Sequence, residues 1–199
     1  MMRRSEAATV RWFEALCKKH QWRNVALVGA WNDNAVQTFL ANCLRTKTTV
    51  VASWRDPAAT TTSERLRQEA AQARMRRHAK AYAHRLTLIE SEPLAAMEAL
   101  PQAAFDAVIL LDGVRPHLLP HAGQIAAPLI RSGGYLVGLG HRDPDVRGIL
   151  DSAIGRERWV AWREGVWGVQ VDRDEPAEPI AEPAKRRGRP KKITEPVAA

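Results

Sequence analysis

Cysteine is nearly absent from this chain: Cys17 and Cys43 are the only two, far apart in sequence and without metal-ligand spacing. That excludes a disulfide scaffold and a zinc ribbon and leaves both as reduced packing residues. No apolar run approaches membrane-spanning length, and the basic start Met1-Met2-Arg3-Arg4-Ser5 lacks the apolar core of a secretory signal. A cytoplasmic protein is expected. Acid is short relative to base, with 22 Asp and Glu against 30 Lys and Arg, a net charge of +8. A basic surface suits anionic partners, or simply solubility.

What is present is a body of ordinary globular composition, 45% hydrophobic and 26% charged, followed by a different kind of text. After Asp172, from Glu175 on, the chain reads Glu-Pro-Ala-Glu-Pro-Ile-Ala-Glu-Pro-Ala, proline and glutamate without apolar periodicity. This predicts an extended, unstructured linker. The expected division is a folded body over residues 1–173 and a tail over 174–199. The tail holds six Lys and Arg against five Asp and Glu, so it carries only +1 of the net charge and the body the remaining +7.

Within the body, apolar periods of helix and strand alternate. Ala8, Trp12 and Leu16 fall at helical spacing, predicting an opening helix from Glu6 to His20. The continuous apolar run Val25-Ala26-Leu27-Val28-Gly29 reads as a buried strand of a parallel sheet. A helix over residues 35–45 and a β-branched strand over 48–53 follow. Thr61 and Glu64 have capping-box spacing and open an Ala- and Arg-rich helix predicted to reach Arg85. Strands are predicted at 86–89, 105–112 and 135–139, and short helices at 93–100, in the later part of 117–131 and at 145–154. Ser132-Gly133-Gly134 reads as a turn, and two strands around Glu164-Gly165 as a closing hairpin. Trp159, Trp162 and Trp167 are expected to pack on the sheet. The pattern defines an α/β fold, a Rossmann-like three-layer sandwich with a mostly parallel sheet and a terminal antiparallel hairpin.

Ligands of such sheets bind beyond the C-terminal strand ends. Those ends are Gly29-Ala30-Trp31-Asn32-Asp33-Asn34-Ala35, Asp112-Gly113, and Gly138-Leu139-Gly140-His141-Arg142-Asp143. The first of these, with Phe105-Asp106-Ala107-Val108 through Asp112-Gly113, Gly133-Gly134, Gly140-His141-Arg142-Asp143, and Gly165-Val166-Trp167-Gly168-Val169, resembles the class I S-adenosylmethionine-dependent methyltransferases. The resemblance covers about Asn24 to Val171. It implies a methyltransferase with S-adenosylmethionine as cofactor. Gly29 and Ala30 would let the backbone approach the cofactor, Trp31 would wall the pocket, Ser53 or Asp56 would face the ribose, and Glu90 or Ser91 the adenine. Asp112 would lie under the methyl-transfer point, and His141 or Asp143 would take a proton from the acceptor. As in some relatives, Asp112, His141 and Asp143 could instead hold a divalent metal.

The chain departs from the pattern at three places. Leu27 replaces the first-strand acid, Asp33 the second glycine, and Ser53 stands near the second-strand acid that would hold the ribose. An inactive methyltransferase-like DNA-binding or scaffold protein is therefore the alternative. DNA bases are a poor choice of acceptor. The Asn/Asp-Pro-Pro-Tyr/Phe motif of amino-methylating enzymes is missing, and neither cysteine follows a proline as cytosine C5 chemistry requires. A small molecule or a protein is the better acceptor.

The tail contains Lys185-Arg186-Arg187-Gly188-Arg189-Pro190-Lys191-Lys192. Gly188 has no side chain to hold the backbone off a groove floor, and Pro190 biases Arg189 toward an extended conformation. An extended Arg-Gly-Arg can lie in a narrow A·T-rich minor groove, where the negative potential is enhanced, with lysines on the flanking phosphates. The octapeptide resembles an AT-hook and implies a tether to A·T-rich DNA, with a place in the nucleoid; a solvated basic tail is the plain alternative. Deleting residues 185–192 is expected to weaken binding to an A·T-rich duplex and to flatten its salt dependence in a fluorescence anisotropy titration. Unchanged binding would move the contact to the basic helix of the body.

Overall fold

The computed structural model describes residues 4–29, 33–54, 61–111, 114–162 and 165–172. Helix α1 (Arg4–His20) leads into strand β1 (Asn24–Val28), followed by α2 (Asp33–Asn42), β2 (Lys47–Ala52), α3 (Thr62–Ala81), β3 (Leu86–Glu90), α4 (Pro93–Glu98) and β4 (Phe105–Leu110). Then come α5 (Leu119–Ala126), β5 (Ile130–Leu139), α6 (Pro144–Ala153), β6 (Val160–Ala161) and β7 (Val166–Val171). The sheet order is β3-β2-β1-β4-β5-β7-β6. Strands β1 to β5 are parallel; β7 enters antiparallel beside β5 and carries β6 on its outer edge. The chain winds outward from β1 to β3, then restarts at β4 on the other side of β1. The C-terminal ends of β1 and β4 therefore flank a topological switch point.

Alternation along the strands builds the two cores. Val25 and Leu27 of β1 join Phe13, Leu16, Phe39, Leu40 and Met75 beneath α1, α2 and α3. Ala26 and Val28 face the opposite way, with Met97, Leu119, Ala122, Val146 and Leu150 of α4, α5 and α6. Every residue of β4 is buried, as expected for a strand covered on both faces. The hairpin tryptophans sit on glycines: Trp167 packs over Gly138 of β5, and Trp162 over Gly168 of β7. A Cβ on either glycine would overlap an indole ring.

Several expected elements need adjustment. The capping box forms as expected, with Glu64 N–H donating to Thr61 Oγ1 at 3.2 Å and Thr61 N–H to Glu64 Oε2 at 3.1 Å. The helix it opens ends at Ala81, short of Arg85, where a turn from Tyr82 closes with Arg85 N–H on Tyr82 O at 2.9 Å. Arg85 thus leaves the basic helix and donates to Leu40 O at 2.7 Å and Cys43 O at 3.3 Å, anchoring the end of α2. Helical structure between β4 and β5 starts at Pro116 and fills the early part of the segment. Pro128, which has no N–H to give, leaves only a tight 3-10 turn over Ala127–Leu129. Ser132-Gly133-Gly134 falls inside the span of β5. Ile130 pairs with Phe105 and Tyr135 with Ala107, so the intervening residues bulge out of register, with Gly133 at φ +77°.

One buried carboxylate ties this region together. Asp106, 1% exposed, accepts the N–H groups of Arg23 and Asn24, the latter at 2.9 Å, where the chain enters β1. Its other oxygen pairs with Arg131 in the bulge. Asp106→Ala would leave two backbone N–H donors without their acceptor and break the ion pair with the half-exposed Arg131. It is expected to lower unfolding stability by about 3 kcal/mol in urea denaturation, with Asp106→Asn losing less. A loss under about 1 kcal/mol would show that this carboxylate is not a tie between strands.

Candidate functional site

The C-terminal edge of the sheet is where the chemistry-bearing residues converge. Backbone hydrogen bonds extend the ladder beyond the strand ends: Gly29 N–H donates to Val51 O at 2.9 Å, and Leu111 N–H to Val28 O at 2.8 Å. Gly29 takes φ +80°, a left-handed conformation that favours glycine. It turns the chain off β1 with no side chain in the way of a ligand. Next to it, at the end of β2, Ser53 is exposed. Trp54 follows with φ +53° and is buried at 3% exposure, so the chain turns inward immediately after Ser53. Ala52 pairs with Glu90, which places Ser53 and Glu90 on neighbouring strand ends.

Glu90 is already engaged. Its two carboxylate oxygens accept from Arg76 Nε at 3.0 and 2.9 Å, and Gln72 Nε2 adds a third bond at 3.1 Å. Burial pushes the Glu90 carboxyl up, but the hydrogen bonds from Arg76 and Gln72 and the Arg76 charge outweigh it and hold it below its ordinary value. Gln72 and Arg76 are one turn apart on α3, so the clamp fixes that helix to the end of β3. This pair was not foreseen from the sequence, although the spacing of Gln72 and Arg76 on one helical face was readable.

On the other side of the switch point, Gly140 and His141 follow β5. Both donate their N–H groups to Gly165 O, at 2.8 and 3.2 Å, which pins this loop to the hairpin. Gly140 has φ +88°, again a glycine conformation. The His141 ring lies 6.2 Å from the Trp159 ring, and Trp159 is in turn oriented by its Nε1–H bond to Asp151 at 2.9 Å. His141 Nδ1 is buried and has no hydrogen-bond partner among the described residues. Such a nitrogen costs free energy unless something occupies it. Asp143 is exposed and caps α6, accepting Asp145 N–H at 2.9 Å, with Pro144 beginning the helix.

Gly29, Ser53, Glu90, His141 and Asp143 lie at one edge of the sheet. Ala30, Trp31, Asp56, Asp112 and the tail residues 185–192 lie outside the described residues. Among the described residues no helix is long and apolar enough to cross a membrane.

The fold has clear counterparts among solved structures. The O-methyltransferase TomG from Streptomyces achromogenes, in complex with SAM, superposes with a TM-score of 0.59 at 17% identity, covering 83% of this chain and 80% of that one. Cofactor-bound Rv0187 from MTB gives 0.60 at 15% identity, covering 84% and 81%. The SAH-bound Podospora anserina methyltransferase PaMTH1 gives 0.58 at 10% identity, covering 87% and 80%. No family model matches the chain, and no curated protein matches it in sequence. At these identities the likeness establishes the fold: a Rossmann-like sandwich of the methyltransferase type.

The Glu90 clamp has a direct consequence for pH. A carboxyl held low in the folded state stabilises above its ordinary value and loses that contribution as pH falls through its depressed folded value. The stability difference between wild type and Glu90→Gln should therefore be small, because the pair is exposed, and should vanish in acid. Urea midpoints measured from neutral to acidic pH check this; a difference that grows in acid contradicts it.

Proposed function

We propose that the chain is an S-adenosylmethionine-dependent methyltransferase whose acceptor, a small molecule or a protein, presents a hydroxyl. The observation that carries this reading is the likeness of fold, over at least 80% of both chains, to structures solved with S-adenosylmethionine or its demethylated product. The described residues fit such a cofactor. Gly29 gives close backbone approach at the end of β1. The cofactor would supply a methyl group on a sulfonium, moved by in-line displacement, a reaction governed mainly by positioning.

In this reading Gly29, Ala30 and Trp31 would border the cofactor at the end of β1. Ser53 and Asp56 share the ribose hydroxyls, the serine being a poorer acceptor than a carboxylate. Glu90, held by Arg76, would border the adenine side, and Asp112 would lie near the methyl-transfer point. His141 would take the proton of the acceptor hydroxyl. Asp143 acts as a positioning residue that fixes the loop carrying His141. The tail from Lys185 to Lys192 tethers the enzyme to A·T-rich DNA.

Ser53 at the end of β2 favours a second reading, a methyltransferase-like fold that has given up its cofactor and serves as a DNA-binding scaffold. Photolabelling of the full-length chain with methyl-labelled S-adenosylmethionine separates the two. Wild type should be labelled, and excess S-adenosylhomocysteine should suppress the label. Gly29→Val and Asp112→Ala should each weaken labelling about tenfold. His141→Gln should keep the label, because His141 acts on the acceptor alone. An unlabelled wild type would support the scaffold reading.

A further inference from the structure

Cys17 and Cys43 are far apart in sequence but meet at the opposite edge of the sheet from the candidate site. Cys17 lies in the last turn of α1 and Cys43 just after α2. Both are buried and free, 5% and 6% exposed. Both also line one groove of about 620 Å³, whose walls carry Lys18, Arg23 and Arg45. A chain of backbone and side-chain bonds joins their peptide groups. Trp22 N–H donates to Cys17 O at 3.1 Å, Thr46 Oγ1 to Trp22 O at 3.0 Å, and Thr46 N–H to Cys43 O at 3.1 Å. Arg85 holds the far side of Cys43 through its carbonyl. Both side chains belong to the same buried core cluster.

Their surroundings set different roles. The hydrogen bond to Cys43, together with burial, pushes the Cys17 thiol up. The same bond pulls the Cys43 thiol down, against burial and the Glu14 charge, and Lys18 and Arg85 add to the effect. Thiolate is the reactive form of cysteine. The Arg85 guanidinium, bonded to the Cys43 carbonyl, stands beside Cys43, which suits Cys43 to attack and Cys17 to follow. Lys18 is paired with Glu14, so it is Arg23 and Arg45 on the groove wall that favour a reagent with negative charge.

We propose that Cys17 and Cys43 form a thiol–disulfide exchange site that takes an anionic low-molecular-weight disulfide and closes to an intramolecular bond. The Cys43 thiolate attacks one sulfur of the reagent, whose S–S bond breaks. One half leaves as thiolate and takes up a proton, and the other half remains as a mixed disulfide on Cys43. Cys17 gives up its proton and attacks Cys43 Sγ, expelling the second half as thiol. Overall two protein thiols are oxidised to one disulfide, and one small disulfide is reduced to two thiols. The new bond would close the loop that contains β1, Gly29 and α2, restricting the unfolded chain.

The test uses the full-length protein with oxidised glutathione, which is anionic, and cystamine, which is cationic. Intact mass and thiol titration in denaturant read the outcome. Wild type should lose both thiols and two hydrogen atoms, retain no glutathione, and gain about 5 °C in Tm. Cys17→Ser should trap one glutathione on Cys43, and Cys43→Ser should react at least about tenfold more slowly. Glutathione disulfide should outpace cystamine at low salt, with the gap narrowing as salt rises. Wild type that keeps both thiols while its urea-unfolded form reacts would overturn the proposal. So would equal or faster reaction with cystamine, or a Cys17→Ser chain that stays unmodified. Because the wild-type measurement decides on its own, a serine variant that fails to fold does not rescue the idea.

Discussion

Asp106 occupies the second position of β4, where the sheet is thickest and water is excluded from both faces. From there its carboxylate accepts the peptide N–H groups at the entrance to β1 and pairs with Arg131 in the bulge between Ile130 and Tyr135 of β5. Three neighbouring strands are thereby indexed to one side chain. Registers that slip by one residue would send every side chain of a strand to the wrong face. With the N-terminal ends of β1, β4 and β5 aligned in this way, their C-terminal ends finish together. The loops that carry Gly29, Leu111 and His141 therefore start from one edge. The candidate site is a consequence of alignment set at the other end of the sheet.

Much of this architecture was legible in the sequence, because its signals are local. The apolar runs of β1 and β4 are too short for helices and too continuous for half-exposed strands. The Thr61 and Glu64 spacing announced the start of α3, and the hairpin tryptophans announced a packed terminal ladder. The Phe105-Asp106 pair was also visible, but as a family motif. That Asp106 binds the entrance to β1 depends on residues more than eighty positions away, and no local pattern reports such a contact. The same limit hid the Glu90 clamp, the exit of Arg85 from the basic helix and the bulge at Gly133. It also hid the meeting of Cys17 with Cys43, whose separation in sequence suggested independence.

The candidate site was legible in position and less so in role. Glycines at φ +80° and +88° follow β1 and β5, where a chain must turn away from a strand without a side chain blocking the crevice. Their places could be read from the motifs. The partners of the polar groups could not. Glu90 spends its acceptors on Arg76 and Gln72, and Asp143 caps a helix, whereas His141 keeps a buried nitrogen without a partner. Among the described residues of this edge, His141 thus keeps a buried nitrogen that no hydrogen bond of the fold uses. The two ends of the sheet also divide labour: loops and an imidazole at one, a basic groove floored by two thiols at the other.

The account stands or falls on whether this fold has kept the cofactor its counterparts bind. Calorimetric titration of the full-length protein with S-adenosylmethionine, and separately with S-adenosylhomocysteine, tests that most directly. The account predicts saturable binding of both, with one site per chain and a Kd in the micromolar range, about −8 kcal/mol. No heat at millimolar cofactor, from protein whose folded state is confirmed by circular dichroism, would contradict it.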